Sequence, residues 1–208
     1  MKIVIKVLLA AAIGLLLYMC YESVMTPIRF EKESDARKDV IVARLMEIRR
    51  VQVEYKNRNG VHAANFDELA TFLNEERLPF VLREGTLTDE QLEKGITEQE
   101  AARQGLIRRD TFWVVAKDTL LGRDYDVANM RIVPGTNVEF EMDTITITST
   151  SGYSVQVFEC GVKYEHYLGD LDPQLLANIK LKDVAYERYQ GLRVGSLTEI
   201  NNYAGNWE

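Results

Sequence analysis

Apolar residues crowd the start of the chain and then thin into periodic patterns, and each change of period marks a new element. From Ile3 to Tyr21, IVIKVLLAAAIGLLLYMCY contains a single charge, Lys6. A helix of this length rises about 28 Å, close to the ~30 Å hydrocarbon thickness of a bilayer, and Lys6 lies near enough to one end to snorkel outward. Pro27, in SVMTPIRF, disfavours α geometry at Thr26 and has no donor of its own, so the helix is expected either to end or to kink there. Between Ser34 and Asn57, Ile41, Leu45, Ile48 and Tyr55 recur at helical spacings, and Val40, Val51 and Val53 widen the stripe. Charged residues fill the remaining surface. This predicts an amphipathic helix closed at Asn59-Gly60, where glycine tolerates the positive φ of a C-cap.

Asn65 with Glu68 three residues later forms a capping-box pattern ahead of Leu69, Phe72 and Leu73, and LPFVL then begins a strand. Thr88 with Gln91 and Thr97 with Glu100 predict two short surface helices ending at Gly95 and Gly105. From Thr111 the period shortens to two. TFWVVAK and NMRIVPG read as strands, and NVEFEMDTITITST alternates Val138, Phe140 and Met142, then Ile145 and Ile147, with polar partners. Ser151-Gly152 supplies a turn into YSVQVFECGVKY, predicting a hairpin and hence an antiparallel sheet. Asp172-Pro173 reads as an N-cap and first-turn proline for a helix through Leu175, Leu176 and Ile179. The closing YQGLRVGSLTEINNYAGNWE lacks a regular period and is expected to wrap the surface. The predicted class is α+β: a transmembrane helix over 1–22, a juxtamembrane segment over 23–33, and one domain over 34–208 in which the long amphipathic helix packs on an antiparallel sheet.

The apolar run is expected to be an uncleaved signal anchor. A cleavage site needs small residues after the apolar core, whereas Tyr18, Met19, Cys20 and Tyr21 are bulky, and the same bulk ahead of Cys20 argues against lipidation. Lys2 and Lys6 precede or enter the span, while Arg29 and Lys32 follow at a greater distance. This favours a cytoplasmic N-terminus and a periplasmic domain, with the expected location the bacterial inner membrane. The net charge of −7 becomes −9 once Lys2 and Lys6, the only charges in the first twenty-one residues, are set aside. So acidic a domain has no electrostatic reason to bind nucleic acid. The expected partners are the lipid bilayer through residues 3–21 and other protein, or further copies, through the span and the juxtamembrane helix; Ala10, Ala11, Ala12 and Gly14 would permit close helix approach. Cys20 and Cys160 fall in the span and the folded part, so no disulfide between them is expected, and Cys160 reads as a small buried hydrophobe.

The apolar helix, a proline some twenty residues in, and the stretch RRVQVEYKNRNGVHAANFDELATFL before an antiparallel sheet together resemble type IV pilins and type II secretion pseudopilins. The likeness covers roughly the first 75 residues. Tyr55, Asn59, Gly60 and Leu69 stand where those families carry a tyrosine, an Asn-Gly turn and a short leucine-bearing helix. The resemblance implies a helix-on-sheet fold and a place in an envelope assembly. The processing signature departs: Gly14 is the only glycine in the span, the fifth residue after it is Met19 rather than glutamate, and no glutamate precedes Glu22. The segments LTDEQLEKGITEQEAARQGLIRRDTF and GLRVGSLTEINNYAGNWE also resemble single-span membrane proteins of Bacteroidota that have no assigned function.

Chemistry-bearing motifs are sparse. His62 and His166 stand far apart in sequence with no metal-binding spacing, and no nucleophile elbow, phosphate loop or dinucleotide fingerprint occurs. No enzyme activity and no cofactor are therefore expected. Asp118, Asp124 and Asp126, in KDTLLGRDYDVAN, offer alternate carboxylates to a hard cation such as Ca²⁺, a site the pseudopilin resemblance also allows, with a plain solvated turn as the competing reading. Tyr153, Tyr164, Tyr167, Tyr186, Tyr189, Tyr203 and Trp207 crowd the last third of the chain, either packed on the core or exposed to a partner. The function expected is that of a membrane-anchored, non-enzymatic structural or scaffolding protein; the alternative is a membrane-tethered domain sensing a ligand or Ca²⁺.

Overall fold

The computed structural model describes residues 2–84, 108–148 and 152–208. The two short helices expected between Thr88 and Gly105 lie outside the described residues.

One helix, α1 (Lys2–Asn59), runs unbroken for 58 residues, or about 87 Å. It passes through Pro27, so the termination considered there does not occur. Proline removes one backbone bond, to the Ser23 carbonyl, and the leucine-, methionine- and charge-rich turns on either side favour helix strongly enough to carry it across. The two halves of α1 differ in environment. Residues 3–21 are exposed all round, whereas Phe30, Ile41, Leu45, Ile48, Val51 and Gln52 are buried. Val40, read as part of the stripe, is exposed. Gly60, at φ +78°, ends the helix, and Gln52 pins the chain that follows: its Nε2 donates to the Ala63 carbonyl (2.9 Å) and its Oε1 accepts from the Ala63 amide (3.1 Å). A buried glutamine satisfied in this way fixes a turn that apolar packing alone would leave loose.

Two compact units are distinguishable, Met1–Asn65 with Asn129–Glu208, and Phe66–Ala128. The second contains α2 (Phe66–Glu75), strands β1 (Arg77–Glu84) and β2 (Arg108–Val115), and the short α3 (Ala116–Leu120). Helix α2 buries Phe66, Leu69, Phe72 and Leu73, the face its capping-box start predicts. Strands β1 and β2 pair antiparallel from Arg77 opposite Val115 to Glu84 opposite Arg108. The strand expected to run through TFWVVAK stops at Val115, because the Ala116 amide donates to the Glu76 carbonyl (2.8 Å) and the chain turns into α3.

The first unit carries a three-stranded antiparallel sheet of order β3 (Glu141–Thr148), β4 (Ser154–Lys163) and β5 (Gly191–Gly195). The predicted hairpin is present, with Thr148 opposite Ser154 and Met142 opposite Cys160. NMRIVPG is not a strand. A 3-10 turn over Ala128–Arg131 and one isolated bridge, Ile132 to Glu139, occupy that place, while Met130 and Val133 are buried. After β4 come α4 (Tyr164–Leu168) and α5 (Pro173–Ala185). Asp172 caps α5 as its sequence predicts, its Oδ1 accepting from the Gln174 and Leu175 amides at 3.0 and 2.9 Å. The largest correction concerns the closing segment. It supplies β5, which buries Leu192 and Val194 beside β4, and residues 201–208 fold back on β5 through Gly195 N–H to the Ala204 carbonyl (3.1 Å) and the Asn206 side chain to the Gly191 carbonyl (2.8 Å).

Candidate functional site

The apolar first third of α1 is a long run of exposed hydrophobic side chains without protein cover among the described residues. Leu9 is 61% and Ile13 50% exposed, and no residue from 3 to 21 is buried. This segment is long and apolar enough to cross a membrane. Water penalises such a surface by about 25 cal/mol for each Å² left exposed, a cost that burial in lipid would remove.

Just past it a polar collar begins on the same helix. Glu22 meets Arg29 at 3.6 Å and accepts from the Thr26 hydroxyl at 3.4 Å. About two turns beyond Arg29, Arg37 spreads its guanidinium over three partners: Nε to Glu33 (3.0 Å), Nη1 and Nη2 to the two oxygens of Asp170 (2.5 and 2.8 Å), and Nη1 also to the Tyr167 carbonyl (2.6 Å). The paired fork of Arg37 on Asp170 keeps the guanidinium firmly protonated and holds the Asp170 carboxyl below its usual range. It ties the segment between α4 and α5 to α1. A lysine keeps the charge but cannot make the fork. Arg37→Lys is therefore expected to speed hydrogen exchange in residues 164–185 while leaving β3 and β4 unchanged, as read by mass spectrometry.

The other cluster of polar groups surrounds His62, which is only 3% exposed. Its ring lies 4.9 Å from that of Phe158 and 5.0 Å from that of Tyr203, and neither ring nitrogen has a hydrogen-bond partner among the described residues. Lys56 closes the cluster, its Nζ donating to the Tyr203 hydroxyl (2.8 Å) and the Gln156 carbonyl (3.1 Å). Burial, reinforced by the Lys56 charge, lowers the His62 pKa to about 4; the Gln52 backbone opposes this without reaching hydrogen-bond geometry. Folding therefore favours neutral His62. That contribution is complete above the unfolded value of about 6.5 and is lost as pH falls toward about 4, on the order of 3 kcal/mol in all. Urea unfolding in detergent should show this acid limb in the native protein. His62→Leu should flatten it, because an apolar side chain leaves no buried nitrogen without a partner.

The remaining candidates do not gather into a site. Asp118 faces Arg123 at 3.8 Å, and Asp126 Oδ1 accepts from the Ala128 amide (3.1 Å). Among the described residues no three His, Cys, Asp or Glu side chains are placed to hold a metal ion, so Asp118, Asp124 and Asp126 form no such group. His166 is exposed, and Cys160 is buried with its thiol pKa pushed up by that burial. Of the aromatics, Tyr167 is buried, Tyr164, Tyr189, Tyr203 and Trp207 are half-buried, and Tyr153 and Tyr186 are exposed. Sequence reasoning missed the Arg37–Asp170 fork, since nothing local links residues 133 positions apart. No protein family, curated protein or solved structure matches the chain.

Proposed function

We propose that this is a membrane-anchored, non-enzymatic structural or scaffolding protein of a bacterial envelope assembly, pilin- or pseudopilin-like in build. One observation carries the reading: a single continuous helix is wholly exposed and apolar over residues 3–21 and packed into a folded core from Phe30 onward. No flexible linker separates anchor from domain. The domain is thus held at a fixed distance from the bilayer, which is what a positioning role needs and a freely tethered sensor does not. The long helix leading into an antiparallel sheet supports the pilin-like build, and residues 3–21 would run from a cytoplasmic N-terminus to a periplasmic domain.

Cys20, exposed near the end of the span, provides the test. Oxidative crosslinking in native membranes should give covalent dimers through Cys20, and these should disappear in Cys20→Ser. A protein that remains monomeric in membranes, and leaves them in mild detergent without other envelope proteins, would contradict the scaffolding role.

A further inference from the structure

Helix α5 is apolar on two sides, and only one of them meets the protein. Leu175, Leu176 and Ile179 are half-buried, whereas Leu181 and Val184 are 67% and 55% exposed, and none of the helix's 13 residues is buried. At 100° per residue, Pro173, Ala177, Leu181 and Val184 share one arc, exposed except at the half-buried Ala177, and with Leu176, Lys180 and Gln190 they line an open groove of about 420 Å³. An apolar helix face of this length calls for a cover.

Its place in the fold identifies the cover. Gln174 and Leu175, in the first turn of α5, line the same cleft as Tyr18, Met19 and Pro27, so α5 starts beside the point where the apolar part of α1 gives way to the polar collar. We propose that α5 is a second membrane contact, lying along the lipid surface with the Pro173, Ala177, Leu181 and Val184 face at the boundary of headgroups and acyl chains; this rests on reading residues 3–21 as the span. The charges agree with that placement. Asp183, the only carboxylate within α5, is turned to the protein by the Tyr164 hydroxyl (2.8 Å), and Lys180 is held by Glu165. Lys182 stays exposed, and just beyond the helix Arg188 stacks on the exposed Tyr186 ring at 5.2 Å. Exposed cations beside an interfacial tyrosine suit anionic headgroups. A lone transmembrane helix leaves its domain free to spin about the helix axis. A second contact beside it stops that rotation and sets which face of the sheet looks along the membrane.

The test places a nitroxide at single cysteines of the full-length protein in a Cys20→Ser, Cys160→Ala background, reconstituted in vesicles of phosphatidylcholine with phosphatidylglycerol. The positions are Ile13→Cys, Leu181→Cys, Val184→Cys and Thr146→Cys, and the readout is accessibility to oxygen against a water-soluble nickel chelate. The labels at 181 and 184 should favour oxygen several-fold over the label at 146, at a depth shallower than that at 13, and the preference should weaken in phosphatidylcholine alone. Labels at 181 and 184 that behave like that at 146, with the one at 13 deep, would overturn the proposal and leave the anchor standing. Labels shielded from both reagents would mean that protein, such as a second copy, covers the face, which also overturns it. A label at 13 in water would instead remove the anchor itself.

Discussion

Substituting aspartate for Leu9 and Ile13 together is expected to move the protein from the membrane pellet to the soluble fraction. Each carboxylate near the middle of a spanning helix costs about 2.5–3.5 kcal/mol, and each lost leucine or isoleucine withdraws a few tenths more, so the pair opposes insertion by roughly 6–8 kcal/mol. That corresponds to a change of more than about ten-thousandfold in the partition. The fold should not suffer, because neither side chain is buried within the protein and the packed part of α1 begins at Phe30. Far-ultraviolet circular dichroism of the variant should therefore keep its sheet signal, with any loss confined to helix. A variant that stays in the membrane would mean that something other than residues 3–21 holds it there. The proposed α5 contact is much too small to do so alone.

Gly195→Ala is expected to be the most damaging single-methyl change in the sheet. Gly195 ends β5 at φ +75°, where any other residue is strained, and an added Cβ would lie 2.1 Å from the Phe158 carbonyl oxygen on β4. The oxygen belongs to a central strand and cannot move without breaking the β4–β5 pairing. The backbone strain costs about 1–3 kcal/mol and the overpacking a similar amount, giving about 2–6 kcal/mol in total, a large share of the ~5–15 kcal/mol that typically holds a protein folded. For a chain of this length the melting temperature should fall by about 5–20 °C. Gly135→Ala is the control: Gly135 also has a positive φ (+78°) but nothing within 4 Å of the added carbon, so it should cost only the conformational part, about 1–3 kcal/mol. Equal losses in the two variants would show that the close approach of β5 to β4 contributes nothing.

Elements with a strong local signal were legible in the sequence. The apolar run, the stripe of Ile41, Leu45 and Ile48, the cap at Asp172 and the alternation leading into the β3–β4 hairpin each name their element without help from distant residues. The failures share a cause. Pro27 argues locally for an end or a kink, and the helix does not end there because one lost hydrogen bond is small beside 58 residues of favourable helix. GLRVG is too short to show a period, and only its pairing with β4 makes it a strand; its flanking glycines were the available signal, since each stands where the β4 backbone comes too close for a side chain. NMRIVPG has strand composition, but after Met130 and Val133 are buried it finds only one bridge. Spacing in sequence placed Asp118, Asp124 and Asp126 near one another, whereas a metal needs their oxygens to converge. His62 was legible only as a histidine; its burial between Phe158 and Tyr203 depends on chain segments nearly a hundred residues and more away.

The central claim, that residues 3–21 hold the protein in lipid while the rest folds outside it, is tested most directly by extracting native membranes with alkaline carbonate, which strips peripheral proteins and leaves spanning ones. The account predicts full-length protein in the pellet. Full-length protein in the supernatant would contradict it.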